Sequence, residues 1–278
     1  MRVSLLRGAA TGALSVSLGV ALLVAPAGAP TTTPKQPPSS VGAATETALA
    51  PRVATARFEN QDGTLETLRG LKGKTVLIVP FLTLCSDTCP FTTGNLLQLQ
   101  SKLDADGVKN VEVVAISVDP YRDTLARIRA YAKLIGANFQ VWTELGPTTT
   151  PVLTKKDLAE KSPVGSGDIN ANLLTLEKFF GWSVQVVAQG EPPSTDWMAP
   201  HETLTYDINH SDGFWIVDSA QRVRFASGDL PAFTGTLARV LATFMDYKSN
   251  IYDDPVYKGG WTPLEALQAL EWVVGSAF

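Results

Sequence analysis

Cysteine and histidine are scarce in this chain, which has two of each among 278 residues. Small secreted folds that depend on disulfides carry a far denser cysteine framework, so a core of this size does not rely on disulfides for its stability. The chain also lacks any cluster of lysine or arginine, and its formal net charge is −4, which excludes the electrostatic footprint of a nucleic-acid-binding protein. It has no internal repeat. What is present is a globular composition, 45% hydrophobic, in a chain long enough to bury a substantial core.

The amino-terminal residues are typical of an export signal. Arg2 and Arg7 precede an apolar stretch that is followed by the small residues Ala27–Ala29. Residues 1–29 are therefore predicted to be a signal peptide, and the protein is expected to be extracytoplasmic. Pro30 is an awkward residue to follow a cleavage site, and an uncleaved membrane anchor is therefore the alternative. No cysteine follows the apolar stretch, which excludes a lipoprotein anchor. Residues 30–51, rich in Pro, Thr, Ser and Ala, are predicted to be a flexible linker.

From about residue 52 the pattern is that of an α/β domain. Continuous apolar runs, typical of strands covered on both faces, alternate with amphipathic stretches of helical periodicity. This order predicts a parallel sheet with right-handed crossovers, to which a hairpin over residues 213–228 adds antiparallel strands. The predicted strands are 54–60, 74–84, 111–120, 138–145 and 183–189, and the predicted helices are 90–103, 124–135, 171–181, 230–247 and 263–274.

Particular residues mark the helix ends. Pro90 is predicted at the first position of its helix. The next helix is predicted to begin at an Asp123 N-cap and to stop at Gly136. Thr262 and Glu265 have the spacing of a capping box and predict the start of the last helix. Two irregular stretches are predicted as a loop with a short helix, over 146–170, and as a surface excursion, over 190–207.

The two cysteines, Cys85 and Cys89, stand at the end of the apolar run 74–84. The carboxyl end of a central parallel strand is where open α/β sheets gather their ligands. Cys89 also lies at a helix amino terminus, where the helix dipole is expected to lower the pKa of a thiol. Three roles stay open for the pair: a local disulfide, a redox couple, or part of a metal site. The spacing permits a disulfide, but so short a loop gives little chain-entropy stabilisation.

A third side chain near the two cysteines would distinguish between these roles. His210, before the predicted hairpin, lies where a thioredoxin-like chain folds back toward its cysteines, and an ordinary hydrogen-bonded loop histidine is the alternative. A plain thioredoxin-type oxidoreductase has a cis-proline there beside a CxxC motif, and this chain has neither. Two thiolates and one imidazole suit Cu(I), or Cu(II) with an added oxygen ligand, whereas structural zinc requires a fourth protein ligand. His201 is better interpreted as an ordinary histidine, although Met198 nearby is a soft auxiliary ligand.

The segments CSDTCP, SVDPYRDT and NHSDGFWIVDSAQRV resemble, in order and spacing, the motifs of the Sco/SenC family. The members of this family are thioredoxin-fold proteins tethered outside the cytoplasmic membrane or in the mitochondrial intermembrane space. The likeness covers roughly residues 52–246. It implies a thioredoxin-like α/β domain, with a central mixed sheet flanked by helices and with insertions. Residues 247–278 lie outside this likeness and are predicted to be a C-terminal helical extension.

The resemblance also implies a function. Cys85, Cys89 and His210 would bind copper, as Cu(I) or Cu(II), for assembly of the dinuclear copper centre of cytochrome c oxidase. The implied partner is the oxidase subunit that carries this centre, or another copper protein. Family members are also credited with reducing the receiving cysteines, so the alternative is a thiol-disulfide oxidoreductase in which Cys85 and Cys89 are the catalytic redox couple. A peroxidase, and an exported binding module with an incidental disulfide, are weaker alternatives.

Two residues of the motifs depart from the family pattern. Ser86 stands where the family usually has proline, and Asn209 stands where it has an acidic residue, which predicts a less anionic site. Asp87, Asp119 and Asp123 do match acidic positions of the family, although Asp123 is interpreted first as the helix cap.

Two stretches are also longer than a compact family member needs. These are residues 145–170 and 187–205. They are predicted either to cover the copper site or to recruit a partner, and the sequence leaves this choice open.

Overall fold

The computed structural model describes residues 36–144, 171–190, 192–228, 230–232, 240–241, 243, 260–275 and 278. The signal peptide or anchor predicted over 1–29, the loop and short helix predicted over 146–170, and most of the helix predicted over 230–247 lie outside the described residues. No helix in the described ranges has both the length and the apolar character needed to cross a lipid bilayer.

Strands and helices alternate through the first half of the domain, as the periodicity of the sequence predicts. The strands are β1 (Ala43–Ala48), β2 (Phe58–Asn60), β3 (Leu65–Glu66), β4 (Thr75–Phe81), β5 (Val111–Ser117), β6 (Gln140–Thr143), β7 (Val184–Val187), β8 (Thr195–Asp196), β9 (Ala199–Thr203), β10 (Asp207–His210), β11 (Trp215–Val217) and β12 (Arg222–Ala226). The helices are α1 (Pro51–Ala54), α2 (Cys89–Ala105), α3 (Leu125–Ile135), α4 (Ala171–Phe180) and α5 (Pro263–Val274).

The main sheet contains eight strands in the order β1-β12-β11-β4-β5-β6-β2-β3. Its centre is the parallel trio β4, β5 and β6, which the apolar runs predicted. β11 pairs antiparallel with β4, and β12 pairs antiparallel with β11, so the predicted hairpin extends the sheet. Every residue of β4 is buried, because neighbouring strands and packed helices cover both of its faces. The sheet is therefore mixed and has helices packed on it, which confirms the predicted α/β class with a central mixed sheet.

The predicted flexible linker over residues 30–51 differs from the structure at its carboxyl end. Ala43–Ala48 form β1, which pairs antiparallel with β12 at the edge of the sheet. The side chains of β1 are largely exposed, so the strand has no apolar alternation by which its sequence would reveal it. The backbones approach closely beside Gly42, where a Cβ atom would lie 2.5 Å from the carbonyl oxygen of Ala226. Backbone pairing, and not side-chain burial, holds this strand.

The ends of the helices differ from the predictions at two points. α2 begins one residue earlier than predicted, so Pro90 is its second residue. α3 ends as predicted at Gly136, whose φ of 64° is left-handed. Its N-cap is Thr124, whose hydroxyl oxygen accepts from the Arg127 backbone N–H at 3.3 Å. The prediction that Asp123 caps this helix is wrong, because its carboxylate is directed into the core toward other donors.

The predicted C-terminal helical extension is part of the hydrophobic core. α5 opens with the predicted capping box, in which the Thr262 hydroxyl accepts from the Glu265 N–H at 3.3 Å and a Glu265 carboxylate oxygen accepts from the Thr262 N–H at 2.9 Å. Trp261, immediately before the cap, has no exposed surface. α5 packs on α2, β4, β11 and β12 and buries Ala266, Leu267, Ala269 and Leu270.

Candidate metal centre

Three side chains with metal-binding atoms meet beyond the carboxyl end of β4. Cys85 follows that strand, Cys89 is the first residue of α2, and His210 is the last residue of β10. Their ligand atoms, one from each side chain, all lie within 4.8 Å of one another. The Sγ atom of Cys89 is 3.6 Å from Nε2 of His210, and both thiols are free. The fold therefore brings together the three ligands that the sequence analysis singled out.

The other candidate ligands lie outside this cluster. His201 is exposed on β9, in agreement with its interpretation as an ordinary histidine. Met198 packs against the hydrophobic core, and its backbone N–H donates to a carboxylate oxygen of Asp196 at 2.9 Å. Among the described cysteine, histidine and carboxylate side chains, the group that could hold a metal ion has three members and not four.

The imidazole ring of His210 is oriented by the adjacent backbone. Nδ1 donates to the carbonyl oxygen of Ser211 at 2.7 Å, since a carbonyl can only accept. This bond leaves Nε2 directed at the sulfur atoms, which is the arrangement in which the second ring nitrogen serves as a metal ligand. β10 pairs with β7, and the Ser211 N–H donates to the carbonyl of Ser183 at 2.9 Å, so the backbone that carries the ring is itself anchored.

The charges of the three groups are unequal in the metal-free protein. Burial lowers the pKa of His210, but the hydrogen bond to Cys85 and the nearby Asp212 carboxylate outweigh it and raise this pKa to about 9. A hydrogen bond from Cys89, together with the neighbouring His210, lowers the pKa of Cys85 well below its ordinary value. Burial and the neighbouring Cys85 raise the pKa of Cys89 well above its ordinary value. In the metal-free protein these shifts favour the thiolate form of Cys85 and a proton on both His210 and Cys89.

This distribution corrects one prediction from the sequence. The helix amino terminus was expected to lower the pKa of Cys89, and the structure gives the lowered pKa to Cys85 instead. Cys89 is only 2% exposed, and removal of a charge from water outweighs the attraction of the helix dipole. Cys85 is half-buried at the mouth of the site, so it is also the more accessible of the two thiols.

A carboxylate lies beside the histidine although Asn209 replaces the acidic residue of the family pattern. Asn209 is exposed on β10. Asp212, two residues after His210, is turned toward the site, where one carboxylate oxygen accepts from the Thr88 hydroxyl at 2.6 Å. Because Thr88 immediately precedes Cys89, this bond joins the cysteine segment to the histidine loop. The predicted loss of negative charge is therefore offset from a different position in the loop.

Cys85 and His210 line a cleft of about 230 Å³, and the buried Cys89 lies behind them. Its apolar lining includes Leu84, Leu204 and Ile208, and its acidic lining includes Asp87 and Asp207 as well as Asp212. Asp87, which matches an acidic position of the family, thus borders the site, and its backbone N–H donates to Sγ of Cys85 at 3.4 Å.

Asp123 supports the cysteine segment from the core of the domain. It is fully buried, and one of its carboxylate oxygens accepts from the Thr83 backbone N–H at 3.1 Å and from the Ser117 hydroxyl at 2.7 Å. Its other oxygen accepts from the Thr83 hydroxyl. Since Thr83 lies two residues before Cys85, this aspartate fixes the end of β4 from which the cysteines project. It is a positioning residue and not a ligand.

Asp119 plays the corresponding part for the histidine side of the site. It is fully buried, pairs with the Arg122 guanidinium and accepts from the Tyr206 hydroxyl at 3.0 Å. Arg122 in turn donates from Nη1 to the backbone carbonyl of Tyr206 at 2.7 Å and lies over its ring. Tyr206 immediately precedes β10, which ends at His210. The SVDPYRDT segment therefore connects the two halves of the centre through buried polar contacts.

The stretch 190–207, predicted as a surface excursion, packs on the cysteine segment. It contains the paired strands β8 and β9. The indole N–H of Trp197 donates to the Thr83 carbonyl at 2.6 Å, and Asp196 accepts two hydrogen bonds from Arg127, at 2.5 and 2.9 Å. This stretch also contributes Ser194 and Leu204 to the wall of the cleft. It therefore borders the site, and the two roles named for the insertion over 187–205, covering the copper site or recruiting a partner, stay predictions.

Four supporting residues were missed in the sequence: Thr83, Thr88, Tyr206 and Asp212. Thr83 lies two residues before Cys85 and Thr88 immediately before Cys89, and both differ in no local signal from other threonines of the chain. Asp212 follows the histidine within the NHSDGFWIVDSAQRV segment, so its place beside a predicted ligand was the one available signal.

Comparison with known proteins agrees with the resemblance in the motifs. Residues 47–149 match the SCO1/SenC family model, a stretch that includes both cysteines and ends before His210. The SCO1 protein homolog of Bacillus subtilis is 34% identical over 85 residues, which cover 31% of this chain and 44% of the relative. The match thus spans less than half of the length of that relative.

Solved structures give weaker likenesses. The copper-bound ScoI of Bradyrhizobium japonicum is 22% identical, with a TM-score of 0.41, and the match covers 74% of this chain and 99% of the other. The copper-bound ScoI of Arabidopsis thaliana is 16% identical, with a TM-score of 0.42 and coverage of 73% and 96%.

Proposed function

We propose that the protein is a copper chaperone that holds one copper ion through Cys85, Cys89 and His210, and the match of residues 47–149 to the SCO1/SenC family model supports this proposal. The observation that carries this proposal is the meeting of two sulfur atoms and one imidazole nitrogen within 4.8 Å. The receiving protein would present its own cysteines, and the proposed destination is the dinuclear copper centre of cytochrome c oxidase.

The donor set fits copper better than the other common metals. Thiolates select soft ions such as Cu(I), and imidazole is a good ligand for copper in both oxidation states. Metal bonds to sulfur and nitrogen are about 2.0–2.3 Å long, so donor atoms within 4.8 Å need only a modest contraction to share one ion. A closed structural zinc site would require a fourth protein ligand, and the cluster in the described residues has three.

The protons that the metal-free centre carries are the ones that copper must displace when it binds. His210 has a pKa of about 9, and Cys89 has a pKa raised well above its ordinary value, so both carry a proton near neutral pH. Copper can therefore bind first to the Cys85 thiolate at the mouth of the site. Completion of the ligand set then releases a proton from His210 and one from Cys89, and acid favours release of the metal.

Transfer would proceed by exchange of ligands. His210 is the ligand to leave first, because loss of one nitrogen bond opens a soft two-sulfur site to an incoming thiolate. The acidic and apolar lining of the cleft suits a partner with a complementary basic rim around its own cysteines.

A competition experiment tests the copper proposal directly. Reduced protein is incubated with equimolar Cu(I) and Zn(II), desalted and analysed for metals. We expect close to one copper per chain and little zinc, because two thiolates and one imidazole satisfy Cu(I) and leave zinc without a fourth protein ligand. Retention of zinc in place of copper, or of neither metal, would contradict the proposal.

A thiol-disulfide oxidoreductase is the second candidate, and the lowered pKa of the half-buried Cys85 favours it, since the thiolate is the attacking form. This function requires catalytic turnover of a disulfide substrate by Cys85 and Cys89 and a defined reduction potential. It predicts that metal-free protein reduces such a substrate at the same rate whether or not copper is added. Inhibition by one equivalent of copper would favour the chaperone.

The proposal includes an extracytoplasmic site of action, which the export pattern over residues 1–29 supports. When the full chain is expressed in a bacterium, we expect the protein outside the cytoplasm, either beginning near Pro30 after cleavage or retained in the membrane fraction with its first residues intact. Replacement of Arg2 and Arg7 by glutamate should trap the chain in the cytoplasm, because the positive segment before the apolar stretch directs export. Unaltered full-length chain in the soluble cytoplasmic fraction would refute this part of the proposal.

A further inference from the structure

Trp261 contacts both halves of the candidate metal centre. Its side chain is fully buried, and its indole N–H donates to the backbone carbonyl of Asp212 at 3.1 Å. Its own carbonyl accepts from the side-chain amide of Asn95 at 2.9 Å. Asn95 lies on α2, six residues after Cys89, and Asp212 lies two residues after His210. One residue near the C-terminus thus bridges the helix of the cysteine and the loop of the histidine.

Asp212 is held from two sides. Its carboxylate accepts from the Thr88 hydroxyl at 2.6 Å, and its backbone carbonyl accepts from the Trp261 indole. The next residue, Gly213, is packed so closely that a Cβ atom there would lie 1.9 Å from the Ser227 carbonyl oxygen. Phe214 meets the Trp261 ring edge to face, with the ring centres 5.3 Å apart. The chain immediately after His210 therefore has little freedom while Trp261 is in place.

Trp261 is itself firmly fixed. Its backbone N–H donates to the Leu230 carbonyl at 3.0 Å, and its carbonyl accepts from the Ala232 N–H at 2.8 Å as well as from Asn95. The capping box at Thr262 and the packing of α5 on α2 follow directly. Because Trp261 is held in the core, its hydrogen bond to Asp212 can fix the position of the loop that follows His210.

We propose that Trp261 is a positioning residue that holds His210 in the orientation needed to bind the metal. The segment that carries Trp261 thus supports the site although it lies far beyond residue 149, where the family match ends. This inference rests on the proposed copper function. With the loop held, His210 meets the ion without a cost of ordering at the moment of binding. Without the indole donor, the partly buried Asp212 carbonyl loses a partner and the loop samples conformations in which Nε2 is turned away from the sulfurs.

The test compares the tryptophan variants Trp261→Phe and Trp272→Phe. The first keeps an aromatic ring and removes the N–H donor, whereas the second alters a half-buried tryptophan of α5 that lies near Arg224, away from the site. We expect Trp261→Phe to weaken Cu(II) binding by about threefold to tenfold, the range that the loss of one hydrogen bond supports, and Trp272→Phe to leave it unchanged. In a His210→Ala background, Trp261→Phe should have no further effect on Cu(II) affinity.

A second measurement needs no metal. The chain has two histidines, so the ring signals of His210 and His201 can be assigned in an NMR spectrum with the His210→Ala variant. We expect Trp261→Phe to broaden or split the His210 signals and to leave those of the exposed His201 unchanged. Should Trp261→Phe fail to fold, Asn95→Leu removes the contact of Trp261 with α2 and should disturb the same signals.

The outcomes separate this inference from the function on which it rests. Equal losses of affinity from Trp261→Phe with and without His210 would mean a general structural role and would overturn the inference, as would unchanged His210 signals in a folded variant. If His210→Ala leaves Cu(II) binding intact, the proposed ligand set is wrong, and the NMR comparison still decides whether Trp261 positions the ring.

Discussion

Cys85→Ser and Cys89→Ser are each expected to abolish stoichiometric copper binding. A serine hydroxyl remains protonated near neutral pH and is a hard donor, so either change leaves Cu(I) with one thiolate and one imidazole in place of three ligands. The loss of affinity should exceed about 100-fold, since even residues behind the ligands commonly cost 10- to 100-fold. Metal analysis of reduced, copper-loaded and desalted protein measures this directly.

The histidines supply the matched control for this experiment. His210→Ala should weaken Cu(II) binding much more than Cu(I) binding, because Cu(I) is satisfied by two thiolates and Cu(II) needs harder donors. His201→Ala changes an exposed residue of β9 and should behave as the unaltered protein does. Full copper occupancy in Cys89→Ser, or an equal effect of the two histidine variants, would be incompatible with the proposed ligand set.

Asp123→Ala is expected to cause the largest loss of folding stability among single substitutions near the site. The change leaves the Thr83 N–H, the Thr83 hydroxyl and the Ser117 hydroxyl without their acceptor in a fully buried position. It also removes the carboxylate that lies 3.6 Å from the Arg127 guanidinium. Breaking a buried charged network of this kind costs about 3–5 kcal/mol in the free energy of unfolding. Denaturant unfolding of the metal-free protein provides the measurement.

Asp106→Ala is the matched control for Asp123→Ala. Asp106 pairs with Lys102 on the surface of α2, at 2.5 Å, with both side chains partly exposed. Exposed pairs of this type contribute about 0–1 kcal/mol, so the free energy of unfolding should change little. A similar effect from the two aspartates would show that the buried network does not support the cysteine segment as we infer.

The elements with a strong local pattern were the ones that the sequence predicted well. β4 and β5 were recognised because strands buried on both faces are apolar throughout. α5 was recognised because a capping box is a local signal, complete within four residues. β1 was not predicted because an edge strand that is held by backbone pairing carries no such pattern. The N-cap of α3 was assigned one residue early because Asp123 and Thr124 are both good caps, and only the buried donors around Asp123 decide between them.

By itself, the sequence determined which atoms can bind a metal here, since the chain has two cysteines and two histidines and few other soft donors. The tertiary structure brings the predicted His210 to the cysteines, and it alone decides that the lowered pKa belongs to Cys85 and that Asp212 and Trp261 support the histidine loop. Cys89 and His210 are 121 residues apart, so their contact depends on how the sheet closes and not on any local pattern. The ionisation of a thiol depends likewise on burial and on charges brought close in space, which neighbours along the chain do not specify.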